Sequence, residues 1–205
     1  MKNSEMDKLM AHLSHYFKQG DPRVIHNPTM VDPHIDVLLY EPCEAYPFWK
    51  MVTMGASDFK MPDAPKMLGS RNEYMIFVDA SINLEDRDVT EWYYNRLMDV
   101  AFYPIEQNCC ITYGHSLEWG EEYDEAPSDI VGAFIEMPQI LEDAGALHCK
   151  LGTFKKATCL QAVLLTRAEI ERLLEMGPEA FSEYLYPEDG GEMHYLSERY
   201  RSEKF

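Results

Sequence analysis

Histidine, hydroxyl and acidic side chains occur at two places where they could support catalysis. His115 precedes Ser116, and a histidine beside a hydroxyl suggests acyl transfer, but adjacent residues rarely face one another and no G-x-S-x-G string is present. His34 and Asp36 alternate, so a strand would place both on one face. A metal ion would need a third ligand, and the spacing nominates none. We therefore expect no catalytic residue, metal or cofactor, and keep a small hydrolase or metal-dependent enzyme centred on His115 or on His34 and Asp36 as the alternative.

A second set of polar residues follows an apolar run in the segment 52–62. The run breaks at Gly55, where a turn that a side chain would obstruct is expected, and polar residues surround the break. Junctions between a strand and a loop often display functional groups. We expect Thr53, Ser57 and Asp58 to hydrogen-bond a partner or to hold the loop in place.

Acidic residues dominate the middle of the chain. Between Leu97 and Cys149 there are eleven acidic residues and no lysine or arginine. This interval is interpreted as a solvated loop, as a docking patch for a basic partner, or as a calcium loop, although the spacing does not match the calcium-loop pattern. Two aromatic residues favour docking, because such residues anchor interfaces. The candidate partner-binding residues here are His115, Trp119, Glu121, Glu122, Tyr123, Asp124 and Glu125.

The charge balance restricts the kinds of partner. The chain has 205 residues with 18 basic and 36 acidic side chains, a formal net charge of −18. Phosphate backbones and anionic membrane surfaces attract clustered lysine and arginine, so neither nucleic acid nor a membrane is expected as a partner. A basic protein fits better. The sequence leaves the oligomeric state open.

Length and cysteine content predict one cytoplasmic domain. A chain of 205 residues is long enough for one buried core and short for two. The five cysteines are odd in number and include no C-x-x-C pair, which is typical of reduced thiols in the cytoplasm. The first residues lack the apolar stretch of a signal peptide, and no run is long enough to span a membrane.

Hydrophobic periodicity and capping residues predict the elements that position these groups. Helices are expected at 4–19, at about 90–102 with Thr90 as cap, from Thr166 with the capping pair Thr166 and Glu169, and from Pro178 to about 186. In the third helix Ile170, Leu173 and Leu174 are expected to face inward. Strands are expected at 34–40, 47–54, 73–79, 109–113, 130–136, 146–151 and 159–165.

This order of elements predicts an α+β fold rather than a regular βαβ array. We expect a single domain over residues 1–205, with a mixed, mostly antiparallel sheet and flanking helices. Residues 187–205 are expected to form a polar, loosely held C-terminal tail.

Several short strings resemble the suppressor-of-fused (SUFU) family in its bacterial single-domain form. They cover about residues 25–186, and their order and spacing are more specific than any one of them. The strings are Ile35-Asp36-Val37, Pro47-Phe48, Val52-Thr53-Met54-Gly55, Ser57-Asp58, Met61-Pro62, Arg71-x-Glu73, Tyr113-Gly114-His115, Leu164-Leu165-Thr166-x-x-Glu169 and Gly177.

The resemblance implies an α+β protein-binding domain without enzymatic activity. The animal namesake of the family clamps a peptide of a transcription factor with the help of a second domain, which we do not expect within these 205 residues. Bacterial relatives are often proposed to be immunity proteins that neutralise toxins. We therefore expect a cytosolic binding protein, with neutralisation of a cationic toxin as its role, or else a regulatory domain for another ligand.

Overall fold

The computed structural model describes residues 1–29, 31–119, 128–188, 191 and 193–200. In this part of the chain eight strands form one mixed sheet with helices on both faces, which confirms the predicted α+β class. The elements, in chain order, are α1 (Asn3–Tyr16), β1 (Arg23–Ile25), β2 (Asp36–Tyr40), β3 (Phe48–Met54), β4 (Asn72–Asp79), α2 (Arg87–Glu106), β5 (Ser116–Glu118), β6 (Ile130–Glu136), β7 (His148–Lys150), β8 (Lys156–Thr166), α3 (Arg167–Met176) and α4 (Pro178–Leu185).

The sheet has the strand order β1-β2-β3-β4-β8-β6-β5, and β7 pairs with β8 beside this path. β4 and β8 run parallel, and the other pairs of described strands are antiparallel. β8 is eleven residues long, so its first half can pair with β4 and β7 while its second half pairs with β6. β1 and β5 are the two edge strands of the path.

Both faces of the central strands are buried. In β4, Tyr74 and Ile76 pack against α2 on one face, while Met75 and Phe77 pack against α1 on the other. α3 and α4 cover the end of that second face over β6 and β8. Strands covered on both sides read as continuous apolar runs rather than alternating ones, which is why β4 was recognisable in the sequence.

The ends of two helices differ from the prediction. α2 begins at Arg87, and the side chain of Asp86 accepts a hydrogen bond from the Asp88 backbone, so Asp86 rather than Thr90 is the cap. Pro104 lies inside the last turns of α2 instead of following its end. α1 begins at Asn3 after Lys2, one residue before the expected start. The predicted capping box of Thr166 and Glu169 is confirmed at α3.

The strand prediction was wrong at three short segments. Residues 109–113 form no strand, and the three-residue strands β1 and β5 were not predicted. A strand of three residues is too short to show a period, so only its partner reveals it. The expectation of a loosely held tail is also wrong for its described part around Tyr195 and Ser197. Both are buried, and the Ser197 backbone N–H donates to the Phe77 carbonyl over 2.7 Å.

None of the helices in the described residues is long and apolar enough to cross a membrane.

Candidate functional site

The end of β3 turns sharply at Gly55. Its backbone has φ +130°, and an added Cβ would lie 2.2 Å from the His34 carbonyl oxygen. Only glycine tolerates both the conformation and the close approach. The predicted need for glycine at this turn therefore has a direct structural reason, and the turn continues into a short 3₁₀ segment, Ala56–Asp58.

The turn encloses the side chain of Glu73, which is wholly buried on β4. One carboxylate oxygen accepts from the Thr53 hydroxyl at 2.7 Å and from the Ala56 N–H at 3.2 Å. The other accepts from the N–H groups of Gly55 and Ser57, each at 3.1 Å. Four donors therefore surround one carboxylate, which is how proteins accommodate a buried charge.

Thr53 and Ser57 therefore belong to the interior and not to a partner surface. Both residues are fully buried, which agrees with the expected role of holding the loop in place and not with contact to a partner. Burial raises the pKa of the Glu73 carboxyl, and the hydrogen bonds from Thr53, Ser57 and Gly55 oppose that shift. The sequence showed the polar residues around Gly55, but the acid that holds them lies on another strand.

Asp58 is engaged in ion pairs. Its carboxylate contacts the Lys155 ammonium and the amino group of Met1, and Lys155 also contacts Glu5 at 3.0 Å. Partial burial alone would raise the pKa of Asp58, but Lys155 and the Met1 amine hold it below its ordinary value. Asp58 therefore links the turn to α1 and to the β7–β8 hairpin.

His115 lies exposed in the turn before β5. Its Nδ1 is 2.9 Å from the Thr112 carbonyl oxygen, and its own carbonyl accepts from the Ile135 N–H at 2.8 Å. Within the described residues no hydrogen bond joins the ring to a carboxylate. The structure thus brings His115 to the surface near β6 without the acidic neighbour that a triad would need.

Trp119 is half-buried and packs against the core under α2. The Arg96 guanidinium lies 5.2 Å from the centre of its ring, and the backbone N–H of Trp119 donates to the Val131 carbonyl at 2.8 Å. Part of the predicted anchor is therefore used inside the protein. The remaining candidates, Glu121, Glu122, Tyr123, Asp124 and Glu125, lie outside the described residues.

His34 and Asp36 are close together, as the sequence predicted, and His26 joins them. The buried Asp36 carboxylate contacts His34 Nε2 at 3.1 Å through one oxygen and His26 Nδ1 at 3.2 Å through the other. The Asn27 N–H adds a third bond at 2.9 Å. In the described residues no group of three or more histidine, cysteine or acidic side chains could hold a metal ion.

His26 was missed because ten residues separate it from Asp36, and only the pairing of β1 with β2 brings them together. The same edge forms one wall of an open cleft of about 600 Å³, whose other wall includes Tyr94 of α2. Burial, with a smaller contribution from Asp36, raises the pKa of Tyr94. The cleft is a feature of the tertiary structure that no sequence motif marked.

The other edge of the sheet is acidic. Glu118 of β5 is exposed and pairs with Arg167 at the start of α3. Arg167, Glu171 and Glu175 are spaced four residues apart and so share one face of α3. We call β5 together with this face of α3 the acidic edge.

Leu174 lies on α3 one turn after Glu171 and is 71% exposed. The prediction that Leu174 faces inward is therefore wrong, whereas Ile170 and Leu173 are buried as expected. Helical spacing alone cannot separate a residue at the border of the buried face from one inside it.

Most lysines are found elsewhere. Lys8 donates to the Leu151 carbonyl at 2.8 Å, and Lys155 pairs with Glu5, so α1 and the β7–β8 hairpin are in contact. We call this region, with the loop at 59–71, the lysine-rich end. It contains seven of the ten lysines, namely Lys2, Lys8, Lys60, Lys66, Lys150, Lys155 and Lys156.

A family model described as suppressor of fused protein (SUFU) matches residues 31–197. The chain belongs to the suppressor of fused family. The match spans most of the sheet and helices described above, including the Gly55 turn and Glu73, and agrees with the resemblance drawn from the sequence.

Solved structures share the fold of this SUFU-family chain. A SUFU homologue from Neisseria gonorrhoeae FA 1090 has a TM-score of 0.67 at 15% identity, covering 98% of this chain and 97% of that one. The Sufu–Fu complex structure gives 0.63 at 16%, covering 97% and 91%. Drosophila Suppressor of Fused gives 0.63 at 15%, and this chain spans 49% of its length while 94% of this chain is covered. No match to a curated protein was found.

Proposed function

We propose that this SUFU-family chain is a non-enzymatic protein-binding domain that takes a basic partner at its acidic edge. Its role would be that of an immunity protein, which neutralises a cationic toxin by covering it. A regulatory domain that holds a basic partner for another purpose would use the same surface.

The observation that carries the proposal is the exposed Leu174, which lies one turn after Glu171 on the acidic edge. An exposed apolar side chain beside charged ones is a common arrangement at a protein interface. β5 adds an edge whose backbone groups pair on one side with β6, and in the described residues they have no second strand partner. Such an edge can accept hydrogen bonds from an extended segment of another protein.

The net charge of this chain supports a partner of positive charge. The net charge of −18 would speed the encounter with a basic protein and make it sensitive to salt. The lysine-rich end attracts such a partner less than the acidic edge does, so the uneven charge distribution favours the acidic edge.

Relatives support the class of function. The Sufu–Fu complex is a protein complex of a domain with this fold.

The five cysteines of this chain are all free, which fits the reducing cytoplasm.

The first experiment measures binding to basic proteins encoded by the genes adjacent to this one, each purified as an inactive variant. We expect a complex whose dissociation constant rises steeply as salt is added. The double variant Glu171→Lys/Glu175→Lys should weaken binding by at least about tenfold, since buried or facing like charges disfavour association by several kcal/mol. Leu174→Ser should weaken it as well, with a smaller dependence on salt.

The matched control is Asp7→Lys/Asp21→Lys, which changes the net charge equally at exposed positions away from the acidic edge. Its affinity should stay within about threefold of the parent protein, because distant surface charges are screened. If both double variants weaken binding equally, the effect comes from the net charge, and the acidic edge is not the binding surface. If no adjacent product binds at low salt, the immunity role fails.

A further inference from the structure

Lys50 is a charged side chain in an unusual position. It lies on β3 and is wholly buried, with Tyr40 and Phe77 opposite it on the neighbouring strands. A buried ammonium group is normally paired with a carboxylate, because its removal from water costs several kcal/mol. No ion pair joins Lys50 to an acidic side chain of the described residues.

Weaker partners surround the ammonium group instead. Its Nζ donates to the carbonyl oxygens of Glu41 at 2.8 Å and Tyr46 at 3.3 Å. The rings of Phe17 and Phe48 have their centres 5.8 and 5.6 Å away. Carbonyl dipoles and aromatic faces stabilise a cation less than a carboxylate does.

The remaining contact is with a thiol. Cys43 Sγ lies 3.9 Å from Lys50 Nζ and 3.6 Å from the Phe17 carbonyl oxygen. Two backbone hydrogen bonds between Cys43 and Tyr46, of 3.0 and 3.1 Å, close the turn and fix the thiol over the lysine. Cys43 is half-buried, whereas Lys50 below it is wholly buried.

We propose that Cys43 and Lys50 form a redox-responsive pair in which oxidation of the thiol by a peroxide is followed by capture of the sulfur by the lysine amine. In the first step the O–O bond of the peroxide breaks and the sulfur, oxidised by two electrons, becomes a sulfenic acid while water or an alcohol leaves. In the second step the amine attacks the sulfur, an S–N bond forms, the S–O bond breaks and water leaves. The product has two hydrogen atoms fewer than the starting pair.

The state of the amine favours this step. Burial lowers the pKa of Lys50 to about 8, with the neighbouring Cys43 opposing the shift. The lowered pKa increases the share of neutral amine near pH 7, and the neutral amine is the nucleophile. Holding the two groups in contact replaces a bimolecular encounter by a local one.

The other cysteines provide an internal comparison. Cys109 and Cys110 are half-exposed, and burial raises the pKa of both thiols. In the described residues neither forms a hydrogen bond with a lysine. A sulfenic acid at Cys109 or Cys110 has a neighbouring thiol as its nucleophile, so peroxide should give an oxygen-bearing residue or a disulfide there. Only Cys43 should form a cross-link to a lysine.

The test is peptide mass spectrometry of the full-length protein after treatment with hydrogen peroxide. Trypsin cannot cleave after a modified lysine, so the cross-link should appear as a peptide running from Val24 to Lys60 that lacks two hydrogen atoms. A thiol reductant should restore cleavage after Lys50. The cross-linked peptide should be at least about tenfold more abundant from folded protein than from protein oxidised in urea, where the proximity is lost.

Two variants complete the test. Cys43→Ser should abolish the peptide, and Lys50→Met should leave a sulfenic acid at Cys43 that a carbon nucleophile such as dimedone labels. Unhindered cleavage after Lys50 with sulfinic acid at Cys43 would overturn the proposal, as would equal cross-linking in urea. A cross-link that retains an oxygen atom would overturn direct attack of nitrogen on sulfur. The comparison with urea remains decisive if Lys50→Met does not fold.

Discussion

Glu73 and Lys50 are two wholly buried charged residues on the neighbouring strands β4 and β3, and they are held in opposite ways. Glu73 accepts four hydrogen bonds, three of them from the backbone of one tight turn. Lys50 contacts two carbonyls, two aromatic rings and a thiol. The Glu73 carboxylate therefore has a structural role, because it holds the Gly55 turn in place. The Lys50 amine instead lies beside the thiol of Cys43, which can react.

The difference teaches that burial alone does not define the role of a charge. Fixed hydrogen-bond donors around a buried charged group stabilise one of its protonation states and make the group unreactive. A set of weak partners leaves the charge poorly compensated, so the amine can lose its proton within reach of Cys43. The following predictions test this contrast from the largest expected effect to the smallest.

Removing the acid at Glu73 should have the largest effect. Glu73→Ala leaves the donors of Thr53, Gly55, Ala56 and Ser57 buried without an acceptor, so we expect a loss of about 3–5 kcal/mol in the free energy of unfolding. Urea denaturation measures it. Glu175→Ala on the exposed face of α3 is the control and should change stability by less than about 0.5 kcal/mol. A small loss of stability in Glu73→Ala would show that this carboxylate does not hold the turn in place.

The Gly55 turn, which supplies the donors to Glu73, should be the next most sensitive feature to substitution. Gly55→Ala forces a Cβ against the His34 carbonyl and strains the backbone at φ +130°, so we expect about 2–3 kcal/mol of destabilisation. Gly177 also has a positive φ, with φ +84° and ψ 162°, but nothing lies within 4 Å of an added Cβ. Gly177→Ala should therefore cost only the backbone strain, about 1 kcal/mol. Equal costs would mean that the clash at His34 is relieved by a shift of the turn.

Replacing Lys50 by methionine should be nearly neutral at pH 7. The exchange removes a poorly compensated charge and keeps an unbranched side chain, so we expect a change of less than about 1 kcal/mol, with either sign. A loss comparable to that of Glu73→Ala would show that the two buried charges are equally well held.

The pH dependence sharpens this prediction, and both proteins should carry Cys43→Ser so that the difference between them reports Lys50 alone. Burial lowers the folded pKa of Lys50 to about 8 in the parent protein, and removal of Cys43, which opposes this shift, should leave it lowered. Above the folded pKa the unfolded chain therefore binds a proton that the folded chain does not. Stability then rises with pH for the protein with Lys50 relative to Lys50→Met. The difference should grow by about 1–2 kcal/mol between pH 8 and about pH 10. A flat difference would place the lysine pKa near its ordinary value.

The smallest effect is expected for Cys43→Ser alone. The hydroxyl can replace the weak thiol contacts with Lys50 and the Phe17 carbonyl, so stability should change by less than about 1 kcal/mol. Thermal unfolding with and without peroxide measures the consequence. Peroxide should alter the melting curve of the parent protein more than that of Cys43→Ser.

Much of the scaffold was predictable from local patterns. The central strands β2, β3 and β4 are apolar runs of five to eight residues, and α3 and α4 carry their start signals in Thr166, Glu169 and Pro178. Edge strands β1 and β5 escaped, because three residues carry no period and depend on a neighbouring strand.

The candidate site was less predictable. Thr53 and Ser57 looked like groups presented by a loop, but their partner Glu73 is on the next strand and draws them inward. Leu174 looked like a core residue and is exposed. In each case the face a residue presents was decided by what packs beside it, and a single sequence does not contain that information directly.

The sequence by itself determined the fold class, the family and the sign of the charge, because these depend on periodicity, ordered short motifs and composition. Only the tertiary structure decided where charge lies and what each buried ion touches. It gathered seven lysines at one region and brought Asp36 to His26, Glu73 to the Gly55 turn and Lys50 to Cys43. The physical reason is that hydrogen bonds and ion pairs act over a few ångströms in space, and strand pairing sets those distances between residues far apart in the chain.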